Sequence, residues 1–116
     1  MMFKIKWTDE AQATYAQLKV DAEASLAARQ KKGKKRSSKA EGLFKQVHKA
    51  IQQLGANPKH PGLKTHEYKS LVHPYDANGK VFEAYAQNDT PGAYRIFWCY
   101  GPEKSEMTII AITPHP

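Results

Sequence analysis

The sequence has few of the features that mark secreted, membrane or metal-binding proteins. Cys99 is the only cysteine in 116 residues, so no internal disulfide can form, which suits a reducing compartment. No run is long and apolar enough to cross a bilayer, and residues 1–10 lack the apolar stretch of a signal peptide. The five histidines are scattered without metal-ligand spacing. We therefore expect a cytoplasmic protein with no membrane association, no metal and no cofactor.

Acidic residues are absent from one segment, and that segment accounts for the net charge of +7. Residues 29–39 are strongly basic, whereas basic and acidic residues balance in the rest of the chain. Such a cluster suits a phosphate backbone or an acidic protein partner, and a solvated linker is an equally good explanation. The candidate RNA-binding side chains of this segment, called the basic tip below, are Lys31, Lys32, Lys34, Lys35 and Arg36.

The first half of the chain predicts one strand and two helices. Residues 3–7 alternate apolar and polar side chains, as a half-buried strand does. Thr8 is placed to cap a helix that runs from Asp9 into the high twenties. A second helix carries an apolar stripe over residues 43–54 and ends at Gly55. The two helices are therefore expected to form a hairpin whose connection is the basic segment.

The second half changes to the period of β-strands. Short turns rich in Pro, Gly, Asn and Asp separate the strand-like stretches, which is typical of an antiparallel meander. These stretches are residues 68–72, 81–87, 93–100 and 107–113. The sequence thus predicts one α+β domain over residues 1–116, with a two-helix hairpin packed on a small, mainly antiparallel sheet.

Three stretches, taken with this order of elements, resemble the RelE/ParE toxin superfamily. Residues 57–64, Asn-Pro-Lys-His-Pro-Gly-Leu-Lys, are similar to the run that follows the second helix in these toxins. Residues 92–98, Gly-Ala-Tyr-Arg-Ile-Phe-Trp, are similar to the strand of the family that carries an arginine. Residues 109–115, Ile-Ile-Ala-Ile-Thr-Pro-His, are similar to the last core strand and the functional position just beyond it.

For the ribonuclease branch, the resemblance implies cleavage of messenger RNA in the ribosomal decoding site and inhibition by an antitoxin protein. The expected partners are therefore an antitoxin, the ribosome and mRNA. Arg95 matches the strand arginine that contacts the scissile phosphate, and His115 lies near a C-terminal position of acid–base or electrostatic function. Basic or histidine residues of relatives also have counterparts here, namely His60, Lys64, His66 and Lys69.

The sequence departs from the RelE type at two positions. Glu83 and Tyr85 stand where that type carries two catalytic lysines, and this favours the histidine-using variants, the YafQ and YoeB types. Glu83 can act as a general base if it faces Arg95, or it can form a cross-strand ion pair with Arg95. Tyr85 can stack on an RNA base, whereas Trp98 is expected to fill the core.

RNA cleavage by internal transesterification needs a base for the 2′-hydroxyl, an acid for the leaving 5′-oxygen and a cation for the phosphorane. Histidine supplies proton transfer near neutral pH, and arginine presents a planar fork that matches phosphate oxygens. This chemistry requires no metal. The catalytic candidates are therefore Arg95, His115, His60, His66 and Glu83.

Two other functions remain open at this point, because a fold does not determine an activity. A ParE-like protein would use the same fold, without catalysis, to bind and inhibit DNA gyrase. An inactive relative would keep the fold as a binding or regulatory partner, and the departures at Glu83 and Tyr85 are compatible with that role.

Overall fold

The computed structural model describes residues 2–87 and 92–114. Along the chain a strand precedes two long helices, and a short 3-10 turn then leads into four further strands. The elements are β1 (Lys4–Trp7), α1 (Asp9–Lys31), α2 (Lys39–Ala56), the 3-10 turn (Pro61–Leu63), β2 (His66–Glu67), β3 (Phe82–Tyr85), β4 (Tyr94–Tyr100) and β5 (Glu106–Pro114).

The five strands form one mixed sheet in the order β1-β5-β4-β3-β2. Only β1 and β5 run parallel in this sheet, and the other three pairings are antiparallel. The expected α+β class, with two helices on a mainly antiparallel sheet, is confirmed. Neither of the two helices in the described part of the chain is long and apolar enough to cross a membrane.

The strand predicted at residues 68–72 is wrong. The strand that pairs with the outer edge of β3, on the side away from β4, is the two-residue β2. The hydrogen-bonded ladder between β2 and β3 ends where the Tyr68 N–H donates to the Val81 carbonyl. Pairing stops there because the residues just before Val81 form the turn from Asp76 to Gly79, in which the Gly79 N–H bonds the Asp76 carbonyl. No strand lies opposite residues 69–72 in the described chain, and Val72 is 77% exposed.

A bulge in β5 fixes the start of α1. Phe97 pairs with Ala111 and Trp98 with Ile109, so Ile110 is an extra residue that the opposite strand does not match. The Thr8 hydroxyl donates to the Ile110 carbonyl at 2.7 Å and accepts from the Ala11 N–H at 3.1 Å. The N-cap expected at Thr8 is therefore confirmed, and it also ties the helix to the sheet.

The basic connection between the helices is an ordered turn. Ser38 and Glu41 form a capping box at the start of α2, in which each side chain accepts from the other residue's backbone N–H. Arg29, on the last turn of α1, donates its Nε–H to both carboxylate oxygens of Glu41 at 2.8 Å. Its Nη1 also donates to the carbonyls of Lys34 and Lys35. Arg29 is thus engaged internally, while the side chains of the basic tip are exposed.

The helices cover one face of the sheet, and the core lies between the two layers. Val47 and Leu54 of α2 pack with Ile96 and Trp98 of β4, and Trp98 is 1% exposed, as predicted for a core residue. Because side chains alternate along a strand, Arg95 and Phe97 point to the opposite face, called the open face below. Burial raises the pKa of the Cys99 thiol to about 11, so this cysteine is protonated at neutral pH and a poor nucleophile.

Replacing Glu41 by glutamine tests the role of its charge at the hairpin turn. The Ser38 N–H, together with Arg29, holds the pKa of Glu41 below its usual range. The stabilisation is therefore present above the unfolded-state pKa and is lost as pH falls through the lower folded-state pKa. We expect Glu41→Gln to lower the melting temperature by about a few degrees near neutral pH, and the deficit to shrink in acid.

Circular dichroism melts over a series of pH values would measure this effect. Glu23→Gln is the matched control, because Glu23 is exposed on α1. A deficit for Glu41→Gln that is the same at every pH would contradict the charge argument.

Candidate functional site

A buried carboxylate gathers three side chains on the open face of the sheet. Glu83 of β3 is only 3% exposed. Its Oε2 accepts from Arg95 Nη1 at 2.6 Å, and its Oε1 lies 2.7 Å from His66 Nε2. The Tyr85 hydroxyl also donates to Oε1, at 3.2 Å. The carboxylate is therefore compensated by one permanent cation, one titratable ring and one hydroxyl.

Strand register explains why these side chains meet. His66 is the Cα partner of Glu83, and Tyr85 is the Cα partner of Arg95. Residues on the same face of neighbouring strands are within reach both directly and diagonally. Glu83 therefore reaches His66 directly on β2 and Arg95 diagonally on β4. The cluster depends on three adjacent strands being in this register.

The ring of His66 is oriented by acceptors on both sides. Its Nδ1 lies 3.1 Å from the Lys64 carbonyl oxygen, and its Nε2 faces Glu83. Both partners are acceptors, so only the doubly protonated imidazolium donates to both. The side chain nevertheless stays 49% exposed. His66 is thus held in one orientation by Glu83 and the Lys64 carbonyl, while solvent or a ligand can still reach its ring.

The guanidinium of Arg95 lies against two aromatic rings. Its central carbon is 4.8 Å from the centroid of the Phe97 ring and 5.7 Å from that of the Tyr68 ring. These contacts and the bond to Glu83 hold the charge in a fixed place. Its Nε atom is buried and has no hydrogen-bond partner among the described residues. Arg95 is therefore a cation held in one place by Glu83 and by two aromatic rings, with one buried N–H left without an acceptor among the described residues.

The structure brings together three of the five predicted catalytic residues: Arg95, His66 and Glu83. Thr113 of β5 is the Cα partner of Arg95, but His115 lies outside the described residues, so its role stays a prediction. His60 is not in this cluster. Its Nδ1 accepts from the Gly62 N–H at 3.0 Å and thereby caps the 3-10 turn.

The predicted RNA-binding residues fall into separate regions. Tyr85 belongs to the Glu83 cluster, where its ring also lies 5.8 Å from the His66 ring. Lys64 and Lys69 are exposed on either side of β2, and Lys64 adopts a left-handed backbone conformation with φ of 50°. The basic tip contributes none of the described contacts to Glu83 or Arg95.

Sequence reasoning missed Tyr68, whose ring is tilted against that of Phe97 with centroids 4.6 Å apart and lies beside Arg95. The sequence did contain one indication that Tyr68 lies near the site. Tyr68 follows His66 by two residues, and residues two apart in extended chain share a face. Among residues 2–87 and 92–114, no group of three or more His, Cys, Asp or Glu side chains is placed to hold a metal ion.

Comparison by sequence finds no matching protein-family model and no significantly similar curated protein. Comparison by structure does find the same fold. The YoeB dimer from Staphylococcus aureus aligns with a TM-score of 0.61 at 10% identity, over 100% of both chains. The archaeal RelE-RelB complex from Pyrococcus horikoshii OT3 contains a chain that aligns with a TM-score of 0.56 at 11% identity, over 98% of this chain and 96% of that one.

A further solved structure, the YoeB/ParE toxin from Agrobacterium tumefaciens, aligns with a TM-score of 0.56 at 13% identity. The alignment covers 97% of this chain and 99% of that one. At such identities the likeness establishes the fold alone. The expected RelE/ParE toxin fold is thereby confirmed over nearly the whole chain.

The ionic cluster predicts a large coupling energy between Glu83 and Arg95. Removing one partner leaves the other charge buried and uncompensated, so we expect Glu83→Leu alone to lower the free energy of unfolding by about 3 kcal/mol. The double variant Glu83→Leu, Arg95→Leu replaces the pair with apolar side chains and should be more stable than the single variant. Urea unfolding followed by circular dichroism of the wild type, Glu83→Leu, Arg95→Leu and the double variant measures the four free energies of the cycle; additive single-variant losses would contradict the coupling.

Proposed function

We propose that this chain, which has the RelE/ParE toxin fold, is the toxin of a toxin–antitoxin pair and cleaves messenger RNA on the ribosome. The observation that carries the proposal is the Glu83 cluster. It places a stacked arginine and a solvent-accessible histidine, both oriented by one buried carboxylate, on the open face of the sheet. These are the side-chain types that phosphodiester transesterification requires.

In the proposed reaction the 2′-oxygen of the RNA attacks the adjacent phosphorus while the bond from phosphorus to the 5′-oxygen breaks. A base removes the 2′-hydroxyl proton, and an acid protonates the leaving 5′-oxygen. The products are a 2′,3′-cyclic phosphate and a free 5′-hydroxyl, so atoms and protons balance without water. Arg95 would stabilise the negative charge that builds up on the phosphoryl oxygens.

We assign the acid to His66, because imidazole transfers protons near neutral pH and this side chain stays 49% exposed at the Glu83 cluster. Glu83 is too buried to meet the 2′-hydroxyl in this arrangement, so its role is to position His66 and Arg95. The base is assigned to His115 on the basis of the sequence resemblance. This arrangement corresponds to the histidine-using variants rather than to the lysine-using RelE type.

The proposed partners follow from the same fold. One structural neighbour is described as a RelE-RelB complex, which supports an antitoxin partner for this chain. An acidic antitoxin segment would complement the exposed basic tip. Ribosomal RNA would bind the same cations during toxin action, and we place the protein in the cytoplasm for that reason.

Loss of specific side chains should abolish cleavage. We expect Arg95→Ala to lower the rate at least roughly 100-fold, because it removes the cation at the reacting phosphate. His66→Asn should also lower it strongly, by removing the acid. His48→Asn is the matched control, because His48 is exposed on α2 and bonds only the Tyr15 hydroxyl among the described contacts.

The measurement is induced expression in a bacterial host, followed by primer extension on an abundant mRNA, with circular dichroism to show that each variant is folded. Codon-phased cuts that persist in folded Arg95→Ala protein would refute its assignment. Growth arrest with DNA damage and intact mRNA would favour a gyrase inhibitor instead. The absence of any arrest would favour an inactive binding relative.

The basic tip should contribute binding that depends on salt. We expect Lys34→Ala, Lys35→Ala to weaken binding to ribosomes and to reduce the slope of log affinity against log salt by roughly 0.7–0.9 for each lost phosphate contact. Lys19→Ala, Lys45→Ala removes the same charge from exposed positions on the two helices and serves as the control. Equal slopes for the two double variants would contradict a specific role for the tip.

A further inference from the structure

A groove of about 400 Å³ lies beside the short strand β2, and of the Glu83 cluster only His66 lines it. Its apolar wall is aromatic: Phe82 stacks on Trp98 with ring centroids 4.8 Å apart, and Tyr100 meets the Trp98 ring edge-on at 4.9 Å. We call this cavity the edge groove. Aromatic rings arranged in this way offer faces and edges on which a flat ligand can stack.

The rim of the edge groove is cationic. Lys59 and Lys64 are exposed there, and His60 and His66 also line the groove, whereas none of the lining residues in the described chain is acidic. A cationic rim over an aromatic wall is the arrangement that binds single-stranded nucleic acid, because the rings stack on bases while the cations attract phosphates. An acidic peptide would match the rim but would leave the aromatic wall without a flat partner.

Two buried polar atoms of groove-lining residues have no hydrogen-bond partner among the described residues. They are the Trp98 indole Nε1 and the Thr65 Oγ1. A buried donor without a partner is unfavourable, and a bonding partner removes that penalty. The indole N–H only donates, while the hydroxyl both donates and accepts.

His66 connects the edge groove to the Glu83 cluster. The same residue lines the groove and contacts Glu83 through Nε2. The separating strand, β2, has only two residues and lies at the edge of the sheet. A single-stranded RNA that crosses this edge of the sheet would therefore meet Arg95 on the open face. On the opposite face of the sheet it would meet the aromatic wall of the edge groove.

We propose that the edge groove binds one unstacked nucleobase of single-stranded RNA, close in sequence to the phosphate that Arg95 contacts. The position next to the cleaved phosphate rests on the proposed function; the binding of a base does not. The base would stack on the accessible rings of Phe82 and Tyr100, next to the buried indole of Trp98. The groove would thus contribute to the choice of the cleaved sequence.

The test is titration of the full chain with each of the four ribonucleoside 5′-monophosphates, followed by NMR at the indole N–H of Trp98. Trp7→Phe protein distinguishes this resonance from the other indole. We expect a saturable shift of the Trp98 resonance with at least one nucleotide and none with ribose 5-phosphate. No shift with any nucleotide, or an equal shift with ribose 5-phosphate, would overturn the proposal.

Two variants localise the binding. Tyr100→Leu removes part of the aromatic wall at an exposed position and should weaken nucleotide binding roughly tenfold, within the range for loss of one stacking ring. Tyr75→Leu is its control, because Tyr75 is exposed and lines a neighbouring cleft rather than the edge groove. Lys59→Ala changes only an exposed rim charge and should weaken binding less, in a salt-dependent way. Equal affinity in all three variants would overturn the proposal.

The nuclease proposal can fail separately. Mononucleotide binding is read without any cleavage, so the groove and the nuclease reaction are measured independently. Nucleotide shifts in a protein that cuts no mRNA would refute the nuclease and retain the groove. Codon-phased cleavage without any nucleotide-induced shift of the Trp98 indole resonance would support the nuclease and refute base binding in the edge groove.

Discussion

The burial of one negative charge constrains the strands on which the candidate site is built. Glu83 lies in β3, where its carboxylate is almost entirely removed from water, and an isolated buried carboxylate is strongly unfavourable. Compensation comes from Arg95 on β4 and His66 on β2. These contacts require the observed register of three strands, because a shift by one residue would turn the partners to the other face. The two-residue strand β2 is long enough for this purpose, because it places His66 directly opposite Glu83.

Stability alone does not explain this cluster. Well-packed apolar residues generally stabilise a fold as well as a buried ion pair does, and Phe97, Val81 and Ala111 already form an apolar patch on the open face. The guanidinium of Arg95 instead lies over that patch, beside Phe97, with its Nε unpartnered among the described residues. Such an arrangement is typical of a side chain positioned for a ligand.

Features that depend on local sequence were predictable, and features that depend on distant partners were not. Thr8 caps α1 through a bond to a backbone three residues away, so the sequence was sufficient to predict it. The extent of β2 depends on where its partner β3 begins, and the alternation of apolar and polar residues does not reveal that point. For this reason residues 68–72 were wrongly assigned to a strand from the sequence. A cross-strand ion pair between Glu83 and Arg95 was one of the two alternatives that the sequence left open, and it is present in the structure. The contact of His66 with Glu83 was not predicted, because a two-residue strand has no detectable period.

The ion pair also limits how strongly the site binds RNA by itself. A phosphate that approaches Arg95 must compete with the carboxylate of Glu83 only 2.6 Å from Nη1, so one anion largely replaces another and little net affinity results. Under the proposed function, binding energy must therefore come from elsewhere, chiefly from the exposed cations of the basic tip and the stacking surface of the edge groove. RNA that engages only Arg95 would be held weakly and cut slowly. RNA presented by the ribosome would be held at several points, and the exchange of anions at Arg95 would then become favourable.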